Sequence, residues 1–287
     1  MMNRTKTLTL VAVALIAHAS AQTGATPAAQ TPPPAAKETA APPANTPITI
    51  SGSGPRPLQQ ALGALRLKYN GALSYEEPQY ISAKAVMEDP HTKGLFIPAG
   101  KSFSVEIPPV QSATDAAAEE KSLQLIVDTY NQSGNPGKFE IRKTESKAIS
   151  VVGVAAIDDK GSFAGQKPLL DSPVTIPAKE RTISDTVDLL CQQLTDGTHV
   201  PISVGISPRS LVDHTNVKLG GDKTPARNIL AQALAASTAP LYWQLIYDPN
   251  SKGYVLNIHS VHIAKPAAPA VPSKPHNSDT HPSLPGL

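Results

Sequence analysis

A single cysteine in 287 residues, Cys191, excludes an internal disulfide framework and a multi-cysteine metal site. Aromatic residues are scarce, at 4% of the chain, and charged ones reach only 17%. No apolar run approaches the roughly 20 residues that a membrane-spanning helix needs. The chain also lacks a Gly-x-Ser-x-Gly elbow and a His-Glu-x-x-His zinc motif, so neither common hydrolase signature is present. Proline is abundant: 29 residues, of which seven fall in 22–47 and six in 264–287. All seven tyrosines, all four phenylalanines and Trp243 lie between those two stretches. A folded region over 48–263 is therefore expected between two tails whose composition cannot build a core.

Residues 1–21 read as a secretory signal peptide. Arg4 and Lys6 form a basic start, Leu8 to Ala17 an apolar run, and Ala19-Ser20-Ala21 a small-residue cleavage pattern. Its removal would leave 23 basic and 23 acidic residues, since the segment holds two of the 25 Lys and Arg and none of the 23 Asp and Glu. A neutral mature chain without a basic run has no electrostatic handle on a phosphate backbone, which argues against nucleic-acid binding. The expected location is the periplasm or the exterior, with membrane contact only through the transient signal peptide. Residues 22–47 read as an extended Pro/Ala linker. In the tail over 264–287, Pro266, Pro269, Pro272 and Pro275 recur every third residue, the period of polyproline II, as in a spacer or a recognition rod.

Between the tails one pattern is written twice. In the second copy, Val174-Thr175-Ile176 reads as a strand ending at Pro177. Ile183, Val187, Leu190, Cys191 and Leu194 then draw one helical face. Thr182 with Asp185 resembles a capping box, and Gly197 is expected to close the helix. Strands at Ile202–Val204 and Val217–Leu219 follow. Thr224-Pro225 is expected to open a second helix, with Thr at the N-cap and Pro in the first turn, carrying Ile229, Leu230, Ala233 and Leu234. A hairpin, Leu241–Tyr247 and Tyr254–Ile258, ends the copy. The first copy has the same order: Ile48–Ile50, a helix through Leu58, Ala61, Leu62, Leu65 and Tyr69, then Ala72–Tyr75. It continues with Phe103–Ile107, a helix through Leu123, Ile126, Val127 and Tyr130, and a hairpin of Phe139–Arg142 with Ala148–Val152. It carries an extra insert around Glu76 to Lys101. The fold class expected is α/β: two small domains, 48–157 and 173–263, each of two β-α-β motifs, joined by a linker over 158–172. One larger α/β domain with alternating elements is the competing arrangement.

The residues that could carry chemistry are few. Gly52-Ser53-Gly54 sits between strand and helix, but Pro55 and Pro57 delete two of the N–H groups a phosphate would need. Asp213-His214 near Ser210 invites comparison with a nucleophile system, although adjacent loop residues do not make a triad. A cryptic hydrolase would need a histidine such as His91, His199 or His214 fixed beside a serine. Cys191 lies on an apolar stripe and reads as a small buried hydrophobe. His259, His262, His276 and His281 do not offer four fixed, close metal ligands. No catalytic, cofactor-binding or metal-binding residue is assigned, and no cofactor is expected. Asn131-Gln132-Ser133 matches a glycosylation acceptor and carries no further argument. Tyr242, Trp243, Tyr247 and Tyr254 concentrate on the last hairpin, with aromatics on both faces of an alternating strand. Either the sheet is buried on both sides, or this hairpin is an exposed edge whose aromatics form a protein-binding site.

Val174–Ile176, the helix from Ile183 to Thr195, and Thr224-Pro225-Ala226-Arg227-Asn228-Ile229-Leu230-Ala231-Gln232-Ala233-Leu234 together resemble the secretin and TonB short N-terminal domain family. Ile48–Ile50 with Pro57-Leu58-Gln59-Gln60-Ala61-Leu62-Gly63-Ala64-Leu65 looks like the first β-α of the same family. The resemblance implies two divergent tandem copies, a periplasmic setting, and binding to other proteins without catalysis. It points to a partner in the cell envelope, such as a component of a secretin or TonB-dependent system. A ligand-binding sensor that uses the cleft between the two copies is the alternative.

Overall fold

The computed structural model describes residues 46–144, 146 and 148–261. The expected signal peptide, nearly all of the first linker, and the C-terminal tail with His262, His276 and His281 lie outside the described residues. The first half runs β1 (Ile48–Gly52), α1 (Pro57–Tyr69), β2 (Leu73–Glu76), β3 (Val86–Glu88), β4 (Phe96–Pro98), β5 (Phe103–Ile107), α2 (Ala116–Gln132), β6 (Gly137–Lys143), β7 (Ile149–Ile157) and β8 (Phe163–Gly165). A 3-10 turn at Leu169–Asp171 leads into the second half. There the order is β9 (Pro173–Thr182), α3 (Ile183–Thr198), β10 (Ile202–Val204), α4 (Arg209–Val212), β11 (Asn216–Pro225), α5 (Ala226–Ala235), β12 (Leu241–Asp248) and β13 (Gly253–Ser260). The fold is α/β, with mixed sheets and helices alternating along the chain.

Local chemistry sets the helix ends. Asp115 caps α2 by accepting the N–H groups of Ala117 and Ala118, and Thr182 caps α3 by accepting that of Asp185 at 3.0 Å. Helices α1 and α3 both stop on a residue in the left-handed region, Asn70 (φ 52°) and His199 (φ 57°), each three residues before the next strand. Two expected signals move. Gly197 lies inside α3, because the chain turns at His199 instead. Thr224 belongs to β11 and Pro225 takes the N-cap position of α5 without a side-chain cap. The strand expected to end at Pro177 continues to Thr182. A register shift between Leu219 and Gly221 lets β11 pass Pro177 and Ala178, and only glycine fits at 220, where a Cβ would stand 2.5 Å from the Ala178 backbone.

Each half builds the same two sheets. A two-stranded antiparallel ribbon, β1 with β5 or β9 with β11, carries the opening strands. A three-stranded sheet places the short strand after the first helix, β2 or β10, parallel to the last strand of the hairpin, β7 or β13. These three-stranded sheets fuse: β12 pairs in parallel with β2, Gln244 opposite Tyr75 and Leu245 opposite Glu76. The result is one sheet ordered β10-β13-β12-β2-β7-β6, with β8 added beside β7. The two expected domains are thus joined strand to strand, and residues 158–172 connect parts of one unit.

Two cores lie on opposite faces of this sheet. Leu58, Leu62 and Leu65 of α1 and Leu123 and Ile126 of α2 pack on Leu73, Tyr75, Phe139 and Val151. Val187, Leu190 and Leu194 of α3 and Ile229, Leu230 and Leu234 of α5 pack on Trp243, Leu245, Tyr247, Leu256 and Ile258. Tyr75 and its partner Gln244 share a face, whereas Trp243 and Leu245 project to the other. Each fully buried leucine in such a stripe contributes about 1.5–3 kcal/mol.

Candidate functional site

Strand β12 decides the fate of the four aromatic candidates. It is paired on both sides, with β13 and with β2, so the second hairpin offers no edge there. Trp243, Tyr247 and Tyr254 are buried in the second core, where Tyr247 and Tyr254 meet edge to face at 5.2 Å. Tyr242 faces the other side, half-buried beneath the Arg66 guanidinium at 4.3 Å and stacked on His259. Of the two sequence alternatives, the sheet buried on both sides is the observed one. The four residues do not assemble a surface for a partner.

Where β2 ends, two consecutive carboxylates are buried. Glu76 is ion-paired with Arg227 of α5 and accepts the N–H of Leu170 at 3.1 Å. Arg227 also reaches Asp171 at 3.1 Å, and Asp171 pairs in turn with Arg142. Glu77 accepts from Arg56 at 3.0 Å, from the Tyr75 hydroxyl at 3.3 Å, and from the Tyr247 N–H at 2.9 Å. Burial pushes both carboxyls upward, against the pull of Arg227 on one and Arg56 on the other. Every carboxylate oxygen of the pair already holds a protein partner. The cluster fastens the halves together: Arg227 and Tyr247 come from the second, Glu76 and Glu77 from the first.

The remaining candidates separate. The Ser53 N–H and hydroxyl are both occupied by the Gln60 carboxamide, at 3.0 and 3.2 Å. Asp213 pairs with Arg209 at 3.6 Å, and no hydrogen bond links Ser210, Asp213 and His214. Cys191 is buried, and burial, with Asp188 nearby, pushes its thiol up to about 12. Among the described residues no three His, Cys, Asp or Glu side chains gather closely enough to hold a metal ion, and no helix is long and apolar enough to cross a membrane.

Two concave features are present; the sequence pointed to the one between the halves and not to the one at the insert. The insert of the first half folds as the β3–β4 hairpin, tied to the β12–β13 turn by Asn250. That carboxamide accepts the Phe96 N–H at 2.8 Å and donates to its carbonyl at 2.9 Å. The hairpin creates a groove of about 330 Å³ lined by Tyr80, Ile81, Val86, Phe96, Tyr247 and Lys252. Ile81 is 71% exposed there and Phe96 46%. A second cleft, about 470 Å³, opens between the halves beside Ser74, Glu119, Ile149, Leu234, Leu241 and Trp243. Two of its lining residues hold a polar atom without a hydrogen-bond partner among the described residues, Nε1 of Trp243 and Oε1 of Glu119. The signal for the insert groove was the insert's length and its apolar Ile81, Val86, Met87, Leu95 and Phe96.

No protein-family model matches this chain, and no curated protein and no solved structure matches it.

Proposed function

We propose that this chain is an exported, non-enzymatic interaction protein of the cell envelope, related in build to tandem short N-terminal domains of the secretin and TonB kind. The carrying observation is the groove that the insert adds to the repeated plan. An exposed isoleucine and phenylalanine over buried tyrosines, rimmed by polar groups, form the kind of surface that protein partners cover. Lys252 at its rim favours a partner segment that presents a large apolar side chain beside an acidic one. The test is capture from envelope extract by the exported protein, by Ile81→Asp and by Phe96→Asp, with Leu67→Asp as a control at a 79% exposed leucine elsewhere. The groove variants should lose a partner that the control retains, at an unchanged unfolding midpoint. Equal capture by all four proteins overturns the reading.

A second reading, a sensor of a small ligand, is favoured by the orphaned Trp243 indole and Glu119 carboxyl at the cleft between the halves. Trp243 is the only tryptophan. Its fluorescence should respond to low-molecular-weight envelope extract under this reading and stay constant under the first.

A further inference from the structure

The junction β12–β2 joins unlike surfaces, and the repeat places the counterpart of each surface at a free end of the same sheet. In the hairpins, Val152 faces Glu140 as Asn257 faces Gln244, and Gly153 faces Phe139 as Ile258 faces Trp243. Phe139, Glu140 and Ile141 of β6 therefore correspond to Trp243, Gln244 and Leu245 of β12. From the left-handed caps Asn70 and His199 onward, Leu73–Tyr75 of β2 correspond to Ile202–Val204 of β10, and Glu77 to Ile206. Strand β12 receives β2; among the described residues the equivalent strand β6 receives nothing, and β10 lies against no strand on its outer side. An interface between unlike patches that is repeated at both ends of a unit can propagate from one copy to the next.

We propose that the chain associates head to tail with further copies of itself, β6 of one copy receiving β10 of the next in the parallel register already used by β12 and β2. Glu140 then lies opposite Val204 of the neighbour, as Gln244 lies opposite Tyr75. The Gly205 N–H points inward to Leu256, so the N–H and C=O of Val204 face out. Ile141 is the matching outward residue on β6. The exposure pattern agrees: Ile206 is 67% exposed, whereas its counterpart Glu77, covered by β12, is 1% exposed. Charge is available on both sides, with Lys138, Glu140 and Arg142 on β6 and Asp188 and Arg209 lining the groove beside β10.

Two asparagines regulate the contact. Asn131 accepts the Phe139 N–H at 2.9 Å and donates to its carbonyl at 2.8 Å; at the internal junction the corresponding N–H, of Trp243, is taken by the Ser74 hydroxyl of the arriving strand. Asn257 accepts the Ile206 N–H at 2.9 Å, whose counterpart, that of Glu77, donates to Leu245. Each amide holds a group that strand addition requires, so association competes with these caps and strengthens when they are removed.

The test uses the exported chain with Cys191→Ala, carrying either Glu140→Cys or Val204→Cys, mixed in equal amounts under mild oxidation. Paired strand positions lie within reach of a disulfide, and pre-association should raise mixed-dimer yield about ten-fold over either variant alone or over Val204→Cys mixed with Lys121→Cys. Adding Asn131→Leu and Asn257→Val, the second copying Val152 of the other half, removes both caps and should raise the yield further. Sedimentation supplies a second readout free of introduced thiols. Ile141→Pro removes an outward N–H of an edge strand and should abolish association, whereas Ile141→Ala, which trims the same side chain from the margin of the first core and keeps the N–H, supplies the stability baseline and should still associate. A mixed-dimer yield equal to the control with and without the asparagine substitutions overturns the proposal, as does undiminished association of Ile141→Pro. Neither result bears on the insert groove.

Discussion

The two halves use one plan in different surroundings, and equivalent positions show what surroundings decide. Strand β2, enclosed between β12 and β7, is buried at every residue, although it reads Leu-Ser-Tyr-Glu. Strand β10, with a neighbour on one side only, leaves Ser203 exposed and Ile202 and Val204 half-buried. Just beyond them the usual order inverts: Glu77 is buried and Ile206 stands in water. Burial here follows from whether another strand arrives, and the side chains adapt. Glu77 is tolerated inside because Arg56, Tyr75 and the Tyr247 N–H satisfy it.

That contrast can be broken most severely at Arg227. Arg227→Ala leaves Glu76 buried and without its counter-ion, and should cost about 3–5 kcal/mol in urea unfolding. Arg209→Ala, at an exposed pair with Asp213, should change stability by less than about 1 kcal/mol. Next in size are the cores. Leu62→Ala in the first and Leu190→Ala in the second should each cost about 2–5 kcal/mol. Because one sheet runs through both halves, Trp243 fluorescence and far-ultraviolet dichroism should give coincident transitions in both variants; separate transitions would show that the halves unfold independently. Ile206→Glu, which copies the residue found at the enclosed position, should stay within about 0.5 kcal/mol because the site is open to solvent.

Smaller effects are expected from two titrating groups. With its thiol pushed up to about 12, Cys191 should react with a thiol reagent at neutral pH only in denaturant, and rapid labelling of the folded protein would contradict its burial. Burial, aided by Arg66, lowers the His259 imidazole below its ordinary 6.5. The unfolded chain then takes up this proton more readily than the native one. The contribution is complete above the ordinary value and is lost as pH falls from there through the lower native value. His259→Gln should flatten the slope of stability just below the ordinary imidazole value.

The helical faces were legible because their spacing is local: Val187, Leu190, Cys191 and Leu194 are buried as the period requires, and so are Leu58, Ala61, Leu62 and Leu65. The hairpins were legible for the same reason, from short alternating runs around turn residues. The meeting of the halves was not. Nothing local in Leu73–Glu76 names Gln244 as its neighbour, and the pairing of Glu76 with Arg227 spans 151 positions. For the same reason the last hairpin could be read as an edge: its second neighbour is a strand from the opposite end of the folded region. The groove escaped because the insert belongs to one half only, so the repeat that organised the reading passed over it.

Synthesis from the N-terminus gives the β12–β2 junction a meaning in time. Tyr247, whose N–H meets Glu77, lies 170 positions later in the chain, and Trp243 lies 169 positions after Ser74. The first half therefore emerges before any strand exists to close its edge, with Glu76 and Glu77 hydrated and the rim of β2 open. Contacts of such long range form late, after most of the chain-closure entropy has been overcome. During that interval a neighbouring nascent chain can offer the same strand to the same edge, and crowding of nascent chains raises the chance that it does. The paired carboxylates, charged while they wait and enclosed only when both arginines and the Tyr247 amide are in place, keep the waiting edge soluble until its own partner arrives.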